Sequence, residues 1–244
     1  MRSASPTTHR CTARAADSHE SRSGLGAAGV PDVEHYITVV ASTALQPTPL
    51  VPEVPLYCAA SAYDVWSLTD DGDESAPMPF WSFPWAGGQA LARYILDHPD
   101  IVAGRRVLDL AAGSGLVAIA AALAGAAEVT ANDIDPYAAA AQEMNAKANG
   151  VQLTVVTRDL LDAETDAEVV LAGDVCYERE LSDRTLAFLT RAQRRGADVL
   201  LGDPGRTYLP RERLAEVASY DVPTTLVLEN QQTKRTTIWT LRAD

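Results

Sequence analysis

Cysteine is nearly missing from the 244-residue chain: Cys11, Cys58 and Cys176 stand far apart, which suggests neither a disulfide framework nor a Cys-x-x-Cys metal site. A reducing compartment is the default for such a sequence. Histidine is as scarce. His9, His19, His35 and His98 lack ligand spacing, so metal catalysis has no support. No apolar run approaches the length of a membrane span. Positive charge is short too, with 20 Lys and Arg against 33 Asp and Glu for a net charge of −13. Phosphate contacts need a basic face, which argues against a general nucleic-acid binder; an acidic enzyme suits a basic partner instead.

What is present, 47% hydrophobic and 22% charged residues, can build one large α/β domain with a substantial core. It is organised around residues 105–137. An apolar strand (Val107, Leu108, Leu110) carrying Asp109 runs into the turn Ala111-Ala112-Gly113-Ser114-Gly115, then into an alanine-rich helix and a second strand ending near Asp133. This is half of a nucleotide-binding βαβ unit. Gly113 and Gly115 permit a tight turn and bring a ligand against peptide N–H groups at a helix N-terminus. Gly113-x-Gly115-x-x-Ala118 with Asp133 also satisfies the dinucleotide fingerprint, so spacing leaves two ligands open. Electrostatics lean to one of them: Asp109 would repel a pyrophosphate and suit the ammonium end of S-adenosylmethionine, unless it only caps loop amides.

Residues 1–31 are rich in Ser, Ala, Arg and Gly and are expected to form a disordered tail. Their basic character also fits a transit peptide to the mitochondrial matrix, but Asp17 and Glu20 interrupt it and favour a cytoplasmic protein. Residues 32–78 read as an N-terminal elaboration, with Tyr36–Val40 and Val54–Tyr57 as short extended pieces and Asp70–Glu74 as a solvated loop. The main domain spans residues 79–244. It opens on Phe80-Trp81-Ser82-Phe83-Pro84-Trp85 before Gly87-Gly88, a cluster that is either core or, for Trp85, a cofactor-side wall. Ala90, Leu91, Tyr94 and Ile95 continue at helical spacing to His98-Pro99. Further on, the pattern predicts a helix over 136–149, strands over 151–157 and 168–172, a helix over 181–195 and a strand over 197–201. A helix over 210–219 and strands over 222–228 and 234–241 follow. The short connection at Glu229–Thr233 permits only an antiparallel pair. Dehydrogenases of this build continue with parallel crossovers and a substrate domain, for which a chain stopping at Asp244 leaves no room.

Asp109-Leu110-Ala111-Ala112-Gly113-Ser114-Gly115, Asp133, Asp159 after the third strand, Asp174-Val175-Cys176-Tyr177 and the terminal hairpin together resemble the seven-stranded S-adenosylmethionine-dependent methyltransferases. Among these, the Asp-x-x-Tyr motif marks protein lysine methyltransferases that modify single non-histone targets. Residues 79–94, Gly202-Asp203-Pro204-Gly205-Arg206-x-Tyr208-Leu209-Pro210 and Lys234-Arg235-Thr236-Thr237-x-Trp239 are similar to the branch acting on the electron transfer flavoprotein beta subunit. The resemblance implies an α/β fold with a doubly wound, mostly parallel seven-stranded sheet of Rossmann-like class I type and a C-terminal antiparallel hairpin. It implies S-adenosylmethionine as cofactor and a monomer acting on a lysine-rich protein segment, without nucleic-acid or membrane partners. The electron transfer flavoprotein beta subunit is the first acceptor, a ribosomal protein the second, and a small nicotinamide-like molecule the rival enzyme class. An intact glycine loop and Asp174 speak against a catalytically silent binding module.

A sulfonium methyl moves in line to a lone pair, so an attacking lysine must be held close, aligned and neutral. Asp174, at the C-terminal edge of the central strand, is expected to accept hydrogen bonds from the lysine nitrogen, and Tyr177 to shape the slot or pack beneath the next helix. A carboxylate alone would raise the lysine pKa, so the proton is expected to leave before attack. Trp85, Asp109, Gly113 and Gly115 are expected around the cofactor. The resemblance implies Asp133, with Asp135 as rival, for the ribose hydroxyls, and Asp159 for the adenine amino group. Asp203 and Arg206 fall on the substrate side, where Arg206 either meets the substrate or pairs with Asp203.

Overall fold

The computed structural model describes residues 31–61, 65, 78–225 and 229–242; nearly all of the expected tail, and Asp70–Glu74, lie outside the described residues. The first described element corrects the sequence reading. Tyr36–Val40, expected to be extended, lies within helix α1 (Val33–Ser42). Asp32 starts it by accepting from the amides of Glu34 at 3.0 Å and His35 at 3.2 Å, while the His35 ring accepts from the Asp32 amide. β-branched residues favour strands, but Tyr36, Val39 and Val40 also fall at helical spacing. Packing of fully buried Val39 with Ala138 and Ala141 of the helix Pro136–Ala148 outweighs the propensity. Strand β1 (Thr43–Gln46) then pairs antiparallel with β2 (Leu56–Ala59), two residues beyond the piece expected at Val54–Tyr57.

The main sheet follows from α2 (Ala86–Asp97), β3 (Arg106–Leu110), α3 (Leu116–Leu123), β4 (Glu128–Asn132), α4 (Pro136–Ala148), β5 (Thr154–Val156), β6 (Val169–Gly173), α5 (Arg179–Arg194), β7 (Asp198–Asp203), β8 (Leu214–Pro223) and β9 (Thr233–Leu241). Its seven strands run β5-β4-β3-β6-β7-β9-β8, five parallel, with β9 antiparallel to both β7 and β8. This is the seven-stranded sheet with a terminal antiparallel pair that the sequence led us to expect. Alternation along each central strand feeds two cores. Val169 and Leu171 join Val107, Leu200 and Ile238 under α2 and α3, whereas Val170 and Ala172 join Leu108, Val199 and Leu201 under α5. Each Val or Leu fully buried in this way contributes roughly 1.5–3 kcal/mol, which is why the unbroken apolar runs define the centre of the sheet.

A second correction concerns residues 210–219. The helix expected there is a single 3₁₀ turn (Arg211–Arg213) leading into β8. The spacing of Leu214 and Val217 imitates a helix because β8 carries a bulge between Glu216 and Ala218 that breaks its alternation and leaves Val217 exposed. Pairing with β9 along its length supplies the backbone hydrogen bonds a helix would have made. β8 ends at Pro223, short of the 222–228 strand expected, and residues 226–228 lie outside the described residues.

From β3 the chain steps to β4 and β5 on one side, and β6 and β7 lie on the other. The loops leaving the carboxyl ends of β3 and β6 diverge at this switch point, where open α/β sheets hold their ligands.

Candidate active site

At that edge lies a cavity of about 680 Å³, lined among others by Trp85, Asp109, Gly113, Asp133, Asp135, Asp159, Asp174, Tyr177 and Arg206. Of the residues singled out in the sequence, Gly115 and Asp203 do not line it. Gly115 instead starts α3 at φ 81°, and a Cβ there would meet Gln142 at 3.2 Å. Gly113 (φ 50°) turns the loop, and its amide donates to Asp133 Oδ2 at 2.9 Å. Asp133 Oδ1 accepts from the Asp135 amide at 3.1 Å, so one carboxylate ties the loop after β3 to the loop after β4. Gln142 and Asn145 of α4 donate to the carbonyls of Gly113 and Ser114 at 3.2 and 2.9 Å. These two amides went unnoticed in the sequence, where they read as ordinary helix positions.

Asp109 is 1% exposed, and its Oδ2 accepts from the Ala118 amide at 2.8 Å. Burial, against that amide and with the nearby Asp133 charge, pushes its carboxyl up to about 8. Burial likewise raises Asp133, and raises Asp135, the N-cap of α4, to about 6. A wall that groups the Asp109, Asp133 and Asp135 carboxyls, held by backbone amides, suits a ligand bearing an ammonium group and hydroxyl donors and opposes a pyrophosphate. The residues present therefore fit S-adenosylmethionine. Asp159 accepts from the Leu161 amide and pairs with Arg184 at 2.8 Å; against the desolvation that would raise it, these partners hold its carboxyl low.

The state of Asp109 can be tested by stability. The native carboxyl holds its proton up to about pH 8 and the unfolded one only to about 3.8, so ligand-free stability falls as pH rises between these values. Asp109→Asn keeps an acceptor for the Ala118 amide and removes the charge. Its melting temperature is expected to exceed the parent's by several degrees above about pH 8, the gap narrowing towards about pH 4. Superimposable pH profiles would show an unperturbed carboxyl.

The second half of the cavity is built on close backbone contact. A Cβ on Gly87 would lie 2.3 Å from the Gly202 carbonyl oxygen, and one on Gly173 would lie 3.0 Å from the Gly88 backbone, so the first turn of α2 rests directly on the ends of β6 and β7. Asp174 follows β6 in left-handed backbone (φ 57°) and is 8% exposed. Its Oδ2 accepts from the Gly88 amide at 2.9 Å, and its Oδ1 from Arg206 Nη2 at 2.8 Å and Nε at 3.2 Å. Burial pushes Asp174 up to about 6, with Arg206 opposing.

Arg206 also donates from Nη1 and Nη2 to Glu229 at 3.0 and 2.6 Å and lies 5.6 Å over the Trp85 ring. The pairing with the Asp203 carboxylate considered from the sequence is not made by the guanidinium. Asp203 Oδ1 is instead taken by the amides of Gly205 and Arg206 at 2.6 and 2.7 Å, the local turn an Asp favours. Tyr177 is 48% exposed, which rules out packing beneath the next helix, and its ring meets Phe80 at a centroid distance of 5.4 Å. Glu229 was missed, since an acid in a Gln- and Asn-rich connection gives no sign of burial.

With this geometry in view, relatives can be compared. The family described as Ribosomal protein L11 methyltransferase (PrmA) matches residues 90–175. The electron transfer flavoprotein beta subunit lysine methyltransferase of Danio rerio is 42% identical over 170 residues, covering 67% of this chain and 66% of that protein. The Xenopus laevis protein of the same name is 38% identical over 202 residues, covering 78% of this chain and 80% of its own length. A Ribosomal protein L11 methyltransferase of Geobacillus thermodenitrificans is 42% identical over 88 residues, 35% of this chain and 26% of that protein. Taken with the seven-stranded sheet and the cavity at its switch point, these matches show that the chain belongs to the electron transfer flavoprotein beta subunit lysine methyltransferase family, a group of protein-lysine methyltransferases.

Proposed function

We propose that the protein transfers methyl groups from S-adenosylmethionine to lysine side chains of the electron transfer flavoprotein beta subunit. The observation that carries this reading is the placement of Asp174, buried at the end of β6 in the wall of the cavity that also takes in the Asp109, Asp133 and Asp135 carboxyls and the Phe80 and Tyr177 rings. When bound, S-adenosylmethionine supplies an electrophilic methyl group on a sulfonium centre. Asp109, Asp133 and Asp135 provide acceptors for its amine and hydroxyls, and the glycine loop fixes the distance from those acceptors to Asp174. Asp174 accepts from the acceptor nitrogen and aims its lone pair, and the half-exposed Phe80 and Tyr177 rings flank the aliphatic part of the entering side chain.

The match to the ribosomal family spans residues 90–175, which carry Asp109, Asp133, Asp135 and Asp159; it supports the donor chemistry and leaves out Tyr177 and Arg206 of the cavity wall. The same reading places the enzyme in the cytoplasm, on the strength of Asp17 and Glu20 within the basic first thirty-odd residues. The test is radiolabelled methyl transfer into a lysate lacking the enzyme and into purified electron transfer flavoprotein beta subunit. Label on lysines of that subunit is the expected result. Label on a ribosomal protein would change the acceptor, and label confined to small molecules would remove protein methylation altogether.

A further inference from the structure

Asp174 poses a difficulty for a lysine acceptor, because a buried carboxylate on its own holds an amine as ammonium, which has no lone pair to give. In the structure it is not on its own. Two donors of the Arg206 guanidinium reach Asp174 Oδ1, and its two terminal nitrogens grip both oxygens of Glu229. Trp85 closes a third side, its ring facing the cation at 5.6 Å. Glu229 is 6% exposed, so this grip is a buried, bidentate one that fixes the guanidinium plane.

We propose that Arg206, anchored by Glu229, is a positioning residue that compensates the charge of Asp174, so that the carboxylate aligns the acceptor lysine by hydrogen bonding without holding it protonated. This rests on lysine methylation as the reaction. The other ionisable groups around the clasp agree with it. Lys234 Nζ stands 3.7 Å from Glu229 Oε2, Asp203 takes the Arg206 amide, and Arg211 lies against Gly205, within reach of the Asp203 charge. Asp174, Glu229 and Asp203 are thus matched by Arg206, Lys234 and Arg211. The thiol of Cys176, pushed up to about 12 by burial, stays neutral; burial raises the Tyr177 phenol as well, and the Asp133 and Glu178 charges, the two acids that reach the site from outside the clasp, add to that rise. A lysine entering beside Asp174 meets a compensated site in which the neutral amine is accessible near physiological pH, its proton leaving to solvent.

The sign of the effect gives the test. With the full chain and purified electron transfer flavoprotein beta subunit, kcat is followed from about pH 6 to about pH 10, where the ascending limb reports deprotonation of the bound lysine. Arg206→Gln removes the neighbouring cation and is expected to move that limb up by about one unit or more, a tenfold loss of kcat on its acid side. Glu229→Gln strengthens the net positive field and is expected to move the limb down, while Arg206→Lys keeps the charge and leaves it near the parent's position. Variants that lower kcat with the limb unmoved would overturn the proposal and leave Arg206 a structural strut. Binding of S-adenosylhomocysteine by calorimetry identifies a variant that has not folded; should Arg206→Gln be one, the downward shift of Glu229→Gln decides the question. A parent enzyme that labels no lysine overturns the underlying reading before any variant is made.

Discussion

Asp174→Ala is expected to reduce methyl transfer by about 10³-fold or more while leaving affinity for S-adenosylhomocysteine within a few-fold of the parent. The asymmetry follows from where the carboxylate points. Both its oxygens face the α2 end of the cavity, one to the Gly88 amide and one to Arg206, whereas the acceptors of the donor pocket come from Asp109, Asp133 and Asp135 on other loops. On the proposed reading, truncation therefore removes the group that aims the acceptor nitrogen and leaves the donor half standing. Arg206 remains paired with Glu229, so the variant does not strand a buried cation. Single-turnover transfer and calorimetry on the same preparation give both numbers; turnover near the parent's rate would strip Asp174 of its role.

The largest stability effect is expected one turn away. In Gly87→Ala the new methyl would sit 2.3 Å from the Gly202 carbonyl oxygen and 2.5 Å from Asp174 Oδ2, and a backbone oxygen in a central strand cannot swing aside. Either α2 lifts from the sheet or the strand ends bend. Overpacking of this kind costs about 3 kcal/mol or more, a fall in melting temperature on the order of 10 °C for a domain of this size. The neighbouring glycine supplies the contrast. A Cβ on Gly88 meets nothing nearer than Val117 at 4.0 Å, in a helix where alanine is favoured over glycine, so Gly88→Ala is expected to melt at or slightly above the parent's temperature. Equal melting temperatures for the two variants would mean that the seam between α2 and the sheet is looser than described.

The unit from β3 to α4 was legible because independent signals coincide there: the apolar Val107, Leu108 and Leu110, glycines at Gly113 and Gly115 that indeed take positive φ, and an acid, Asp109, set among those apolar residues. Where a single signal had to carry the reading, it misled. β-branched residues in α1 spoke for a strand while cap and packing made a helix, and the bulge in β8 gave a strand the spacing of a helix. Contacts between distant backbones leave no local trace at all. The touching of Gly87 and Gly202 depends on how a helix is laid across a sheet, and the burial of Glu229 depends on an arginine 23 positions earlier in the chain. Both determine the chemistry around Asp174, yet neither glycine nor glutamate differs locally from a residue in an ordinary turn.

The bridge made by Asp133 has a thermodynamic consequence. Because its two oxygens already hold the Gly113 and Asp135 amides, the loops that receive the donor are frozen into their receptive shape when the chain folds. The entropy of ordering them is charged to folding and not to association, so a nucleoside arriving at this site meets a preorganised mould and keeps as affinity the share of its interaction energy that ordering the loops would otherwise consume.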